Sequence, residues 1–185
     1  DTLWTKRYGE TNHPDRGYSV QQTNEGGYII TGRTESYGLN YAHAWLIKTD
    51  SSGNKLWDKT FGGADTISYG RSVQQTNDGG YIITGWKDFS GTGDYDVWLI
   101  KTDSSGNKSW DKRWGKGYHD YGRSVQKTND GGYIVIGETR PYGATNSDVW
   151  LIKTYANGDT VWTKTYGGSA DDRGWSVQQS FCGGY

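Results

Sequence analysis

Four tryptophans, Trp4, Trp57, Trp110 and Trp162, punctuate the sequence at intervals of 53, 53 and 52 residues, and Trp45, Trp98 and Trp150 keep the same spacing. A repeat of this length constrains the fold strongly. Each unit must be one supersecondary element that buries its apolar face only by stacking on its neighbours. Between the tryptophans run YSVQQTNEGGYIITG, RSVQQTNDGGYIITG and RSVQKTNDGGYIVIG, then a degenerate WSVQQSFCGGY. The chain therefore reads as one domain, residues 1–185, with repeats at about 1–54, 55–107 and 108–159 and a truncated one at 160–185.

Each repeat holds four short extended segments, A to D. In the second repeat A is Ser72–Thr76, followed by the hairpin turn Asn77-Asp78-Gly79-Gly80. B is Tyr81–Thr84, β-branched and aromatic, stopped by Gly85; C is Val97–Thr102, turning at Asp103-Ser104-Ser105-Gly106-Asn107; D is Ser109–Trp114. No segment carries a helical apolar period. The composition agrees: hydrophobic residues make up only 32%, but 10 Trp, 15 Tyr and 29 Gly suit short strands joined by glycine turns. Four antiparallel strands in about 50 residues is the size of a β-propeller blade. The expected fold is all-β: a propeller of four-stranded antiparallel blades, three complete, with partial blade strands at both ends. A β-solenoid is the rival, but its coils are shorter and its strands parallel.

The sequence resembles the β-propeller repeats of secreted and surface-attached bacterial and archaeal proteins. Trp57 to Gly63, Gly70 to Val73, Asp78 to Gly85 and Asp96 to Gly106 carry that pattern in the second repeat. The resemblance covers essentially the whole chain, is specific for architecture and implies a secreted or cell-surface location. Kelch repeats are the second match. They place a Gly pair after strand B, where this sequence has single Gly32, Gly85 and Gly137.

In strands, the chain reads as D, three ABCD units, then A. Asp1-Thr2-Leu3-Trp4 aligns with Asp159-Thr160-Val161-Trp162, and the last residues reach the start of a B strand. A ring left open exposes backbone groups and a dry blade face. Two expectations follow: a piece of a longer array, which is preferred, and self-association in which the end strands of different copies pair.

Several side chains invite a functional reading. The Asp50–Asn54 and Asp103–Asn107 loops suggest calcium, but each has one carboxylate where the ion takes 6–8 oxygens, and the third copy has Tyr155 at the Asp position. An Asx-type turn is the expectation. Asp15, Asp120 and Asp172 precede strand A, with Ser68 in the second repeat; a cation-binding ring competes with capping of the D–A loop, and capping is expected. Strand A, as the innermost strand, would line a channel with Gln21, Gln74, Gln126 and Gln178. Tyr37, Tyr41, Trp86, Phe89, Tyr95 and Tyr142 vary between repeats in the B–C loops and are the candidate ligand-binding residues, against the simpler role of sealing blade to blade.

Catalysis finds no support. His13, His43 and His119 do not recur at one repeat position, and no catalytic or metal-spaced motif is present. No metal or cofactor is expected. The formal net charge of −1 argues against nucleic acid, and no apolar run is long enough for membrane insertion. The leading expectation is a non-catalytic scaffold or interaction module with a protein or glycan ligand. A carbohydrate-binding propeller is the alternative, and an enzyme with its site at the channel mouth a distant third.

Overall fold

A computed structural model describes residues 2–36, 41–89, 91–115 and 117–185. Twelve strands form three four-stranded antiparallel sheets in chain order. The first contains β1 (Arg16–Gln22), β2 (Tyr28–Thr34), β3 (His43–Thr49) and β4 (Lys55–Phe61). The second contains β5 (Ser68–Gln75), β6 (Tyr81–Asp88), β7 (Tyr95–Thr102) and β8 (Lys108–Trp114). The third contains β9 (Tyr121–Lys127), β10 (Tyr133–Thr139), β11 (Asp148–Thr154) and β12 (Thr160–Tyr166). This is the propeller-type blade architecture expected from the repeat. Segments A to D of the second repeat fall on β5 to β8, and the described residues form no closed ring.

The apolar core lies between the sheets. Ile29, Ala44 and Leu46 of the first sheet pack against Val73, Tyr81, Ile83, Trp98 and Ile100 of the second. Ile82, Val97 and Leu99 on the other side of that second sheet pack against Val125, Tyr133, Val135, Trp150 and Ile152 of the third. Successive residues of β6 and β7 thus serve opposite seams, as the two-residue period of a strand dictates. The central strands are consequently apolar on both faces, and every residue of β3 is buried.

Two features stitch the seams. At the inner edge, Gln21 Oε1 accepts the Gln75 amide N–H at 2.8 Å, and Gln74 Oε1 accepts that of Lys127 at 2.8 Å. At the outer edge, Trp57 meets Tyr81 edge-on at 5.8 Å, and Trp110 meets Tyr133 at 6.2 Å. Trp4 and Tyr28 make the same contact at 5.9 Å, as do Trp162 and Tyr185 at 6.0 Å. The partial end strands therefore occupy D and A positions, but they join no ladder. Among the described residues neither pairs with a strand of its own blade.

Gly85 departs from the sequence reading. It does not stop strand B; it sits inside β6, where a Cβ would lie 1.8 Å from the Tyr69 carbonyl oxygen. Gly32 and Gly137 meet the Arg16 and Tyr121 carbonyls in the same way. The cause is a bulge in the inner strand. Gly70 pairs with Gly85 and Ser72 with Thr84, leaving Arg71 out of the register; Tyr18 and Arg123 are left out in β1 and β9.

A latch closes each blade from within. The Lys101 ammonium, almost wholly buried, reaches the Asp78 carboxylate of the A–B turn at 2.7 Å, and Lys153 reaches Asp130 at 2.9 Å. In the first blade Lys48 donates to Thr23 at 2.6 Å and lies 3.5 Å from Glu25. Local desolvation raises the Asp78 carboxyl, but hydrogen bonds from Lys101, Thr76 and the Gly80 amide outweigh it and bring it down to about 2. Hydrogen bonds from Thr128 and Lys153 bring Asp130 to about 2 as well.

Both carboxyls are depressed, so the stability they add is complete above their unfolded pKa of about 4. It is lost as pH falls through about 2. The melting temperature of the D78N/D130N double variant should lie below wild type at pH 7, and the gap should close between about pH 4 and pH 2. Gly85→Ala should lower the unfolding free energy by about 1–3 kcal/mol through overpacking against the Tyr69 carbonyl. Gly168→Ala, with open space around its Cα, should change it by less than about 0.5 kcal/mol, both read from urea titrations.

Candidate functional site

The inner-strand bulges place one side chain per blade on a common line. Tyr18, Arg71 and Arg123 occupy the unpaired bulge position in β1, β5 and β9, and Trp175 stands at the matching sequence position in the final partial repeat. The Arg71 guanidinium lies 4.2 Å from the centre of the Tyr18 ring, and that of Arg123 lies 4.8 Å from the Trp175 ring. Both distances suit cation–π attraction.

Around this line the repeats differ from one another. The residues flanking the inner-strand glycine are Arg16 and Tyr18 in the first unit, Tyr69 and Arg71 in the second, Tyr121 and Arg123 in the third. Opposite them in strand B stand Arg33, Trp86 and Glu138, register partners of Arg16, Tyr69 and Tyr121. Framework positions repeat almost letter for letter, whereas Arg33, Trp86 and Glu138 differ in every unit and the flanking pair of the first unit is reversed in the other two.

Together they make a continuous belt. Arg33 donates to the Tyr69 hydroxyl at 2.6 Å. Trp86 is buried against Tyr69 at 4.0 Å, Tyr95 at 4.5 Å and Tyr121 at 5.4 Å, bridging the second and third blades. His119 stacks on Tyr95 at 5.2 Å. Glu138 holds Arg123 and lies 3.3 Å from Arg173 Nε. Burial raises the Tyr95 and Tyr121 hydroxyls above their ordinary value, so neither is a base at neutral pH.

The six candidate aromatics are thereby separated. Trp86 and Tyr95 join the belt, and both lie on strands β6 and β7, not in the B–C loop. Phe89 packs edge-on against Trp98 at 6.0 Å and beside the core between the first and second blades, a sealing role. Tyr41 is exposed, and Tyr142 is exposed beside Tyr118 at 4.9 Å. Tyr37 lies outside the described residues. The arginines were missed because RSV reads as part of the repeat; the signal available was the swap from RGY to YGR between the first and second copies.

The glutamines of strand A, expected to line a channel, make contacts between blades. Gln21, Gln74 and Gln126 each turn the amide oxygen to the backbone N–H of the following blade, the last to Gln179 at 3.3 Å. Gln178 is exposed, with no following blade to receive it.

The other polar motifs are structural. Asp50 Oδ1 accepts the Ser52 and Asn54 amides at 2.9 and 2.8 Å, and Asp103 repeats this with Ser105 and Asn107 at 2.9 and 2.8 Å. Hydrogen bonds from Asn54, side chain then backbone, hold Asp50 below the usual carboxylate range; those from Asn107 do the same for Asp103. These are Asx turns. Asp15 accepts from Ser36 at 2.7 Å, Asp120 from the Arg140 amide at 3.3 Å and Asp172 from the Gly168 amide at 3.0 Å, so the pre-strand carboxylates brace loops. Among the described residues no group of three His, Cys, Asp or Glu side chains is placed to hold a metal.

A second concavity lies between the second and third blades. It is a cleft of about 420 Å³ lined by Asp96, Arg113, Trp114, Gly115, Trp150 and Thr163. Thr163 and Pro141 stand where the second blade has Asp111 and Phe89, and Trp150 is nonetheless as buried as Trp98. Burial raises the Asp96 carboxyl, Arg113 opposing it and Asp120, Asp94 and Asp88 adding to it.

No protein-family model matches the chain, and no curated protein matches it. The class of protein rests on the fold: an all-β chain of repeated four-stranded blades in a propeller-like array.

Gln74→Ala should cost about 0.5–1.5 kcal/mol of stability, one inter-blade hydrogen bond, whereas Gln178→Ala should be neutral. Equal effects in urea titrations would show that the amide oxygen has no stitching role.

Proposed function

We propose that this chain is a non-catalytic interaction module of the secreted or cell-surface propeller type, which binds a protein ligand on the belt of aromatic rings and arginines beside its inner strands. The observation that carries the reading is the contrast between an almost invariant framework and the variable set Arg33, Trp86, Glu138, Tyr18 and Arg71, gathered on one line. Tyr, Trp and Arg are the residues enriched at the cores of protein interfaces and at their energetic hot spots. Groups that alter from blade to blade on a fixed scaffold are suited to recognition and superfluous to folding.

Self-association across the first blade belongs to the same proposal. Val20 is 63% exposed, where Val73 and Val125, its repeat partners, are 3% and 1% exposed because a preceding blade covers them. Light scattering should show assembly that Val20→Glu abolishes, and a wild-type monomer at all concentrations would dismiss it.

Carbohydrate binding is the second reading, favoured by the Trp114–Trp150 cleft with its Asp96 and Arg113 hydrogen-bonding groups. The two readings separate by mutation. Peptides selected from a displayed library against the protein should lose at least about tenfold in affinity, or 1.4 kcal/mol, with Trp175→Ala or Tyr18→Ala, and nothing with Trp114→Ala. Tryptophan fluorescence that responds to neutral oligosaccharides and is silenced by Trp114→Ala would favour the cleft instead.

A further inference from the structure

Three arginines of the belt, Arg33, Arg71 and Arg123, each bury the Nε atom without a hydrogen-bond partner. Two of them carry a counter-charge: Arg33 lies 3.1 Å from Glu35, and Arg123 is paired with Glu138. Among the described residues Arg71 meets no carboxylate and no hydrogen-bond acceptor; its contact is the face of Tyr18. Burial, with Arg123 and Arg33 close by, holds this guanidinium below its ordinary value, while Tyr18 and Tyr69 act in the opposite sense. A desolvated cation between two others is costly unless something repays it.

The fold does not require that cation. The same bulge position is filled by Tyr18 in the first repeat and matched by Trp175 in the last. An aromatic residue satisfies the bulge, so the arginine serves something other than the strand.

We propose that Arg71 anchors a site for a carboxylate supplied by an acidic peptide segment of a partner protein. The inference rests on the interaction-module reading and names the chemistry of its ligand. Of these three arginines, Arg33 and Arg123 are paired with Glu35 and Glu138, and Arg71 alone lacks a counter-charge, which a carboxylate would supply. A guanidinium fork meets a carboxylate through two parallel hydrogen bonds. One face of each nearby ring is already taken, Tyr18 by Arg71 and Tyr69 by Arg33 at 4.9 Å, which leaves less ring surface beside the anchor for a sugar to stack on.

Fluorescence anisotropy with labelled hexaglutamate, labelled hexaglutamine and trigalacturonate as competitor tests the assignment on the intact chain. Hexaglutamate should bind, hexaglutamine should not, and trigalacturonate should not displace it. Arg71→Gln and Arg71→Tyr should each weaken binding at least tenfold; the tyrosine variant restores the side chain of the first repeat and should melt like wild type. Arg71→Lys should fall between, and Lys164→Gln should have no effect. Binding that ignores Arg71, that Lys164→Gln weakens equally, or that trigalacturonate displaces, overturns the proposal, as does a failure of hexaglutamate to bind. If hexaglutamate fails while library-selected peptides still depend on Trp175 and Tyr18, the carboxylate assignment falls and the module reading stands. If the selected peptides ignore both rings, both fall together.

Discussion

At each seam the inner-strand glycine of one blade is pressed against the strand-B glycine of the blade before it. A Cβ on Gly70 would lie 2.1 Å from Thr31 Oγ1 and 3.4 Å from the Gly32 carbonyl; one on Gly122 would lie 2.7 Å from the Gly85 carbonyl. The inner strand therefore presses its bare backbone onto the backbone and the threonine hydroxyl, Thr31 or Thr84, of the preceding blade's strand B, with no side chain of its own to hold the sheets apart. That closeness lets Gln21 and Gln74 reach the next blade's amides, and it brings Val73 and Val125 into the inter-sheet cores. Stability in such an array is a sum over seams more than over sheets.

The same glycines create the site. Inside a blade, the Tyr69 carbonyl approaches Gly85 to a distance no Cβ would permit, and the inner strand bulges at Arg71, just past Gly70. A bulge re-aims a side chain and frees it from the alternation that commits its neighbours to a seam. Arg71 and Arg123 are thus released from packing duty. Their identity is open to variation, and recognition can be written there at little expense to the core.

Much of the architecture was legible in the sequence. The spacing of Trp4, Trp57, Trp110 and Trp162 marked the blades, and the Asn-Asp-Gly-Gly and Asp-Ser-Ser-Gly-Asn turns marked the hairpins, because turn chemistry is local. The third copy's Tyr155 weakened a metal loop before the Asx hydrogen bonds of Asp50 and Asp103 explained those residues. The belt was only half legible. Trp86 and Tyr95 stood out by variability, but they were assigned to a loop since Gly85 looked like a strand end. Phe89 varied as much and turned out to seal the seam beside Trp98. Variability alone cannot tell a residue that faces solvent from one that faces the next blade.

What the sequence determined by itself was periodic and local: four strands per unit, their order and the turns. Only the tertiary structure decided which residues of different repeats meet. Arg71 reaches Tyr18 across 53 positions of chain, and Trp86 reaches Tyr121 across 35, contacts set by the stacking of sheets and the bulge between two glycines. A repeat specifies its own strands through short-range propensities, but its neighbours' side chains arrive through packing, and there the proposed binding face is assembled.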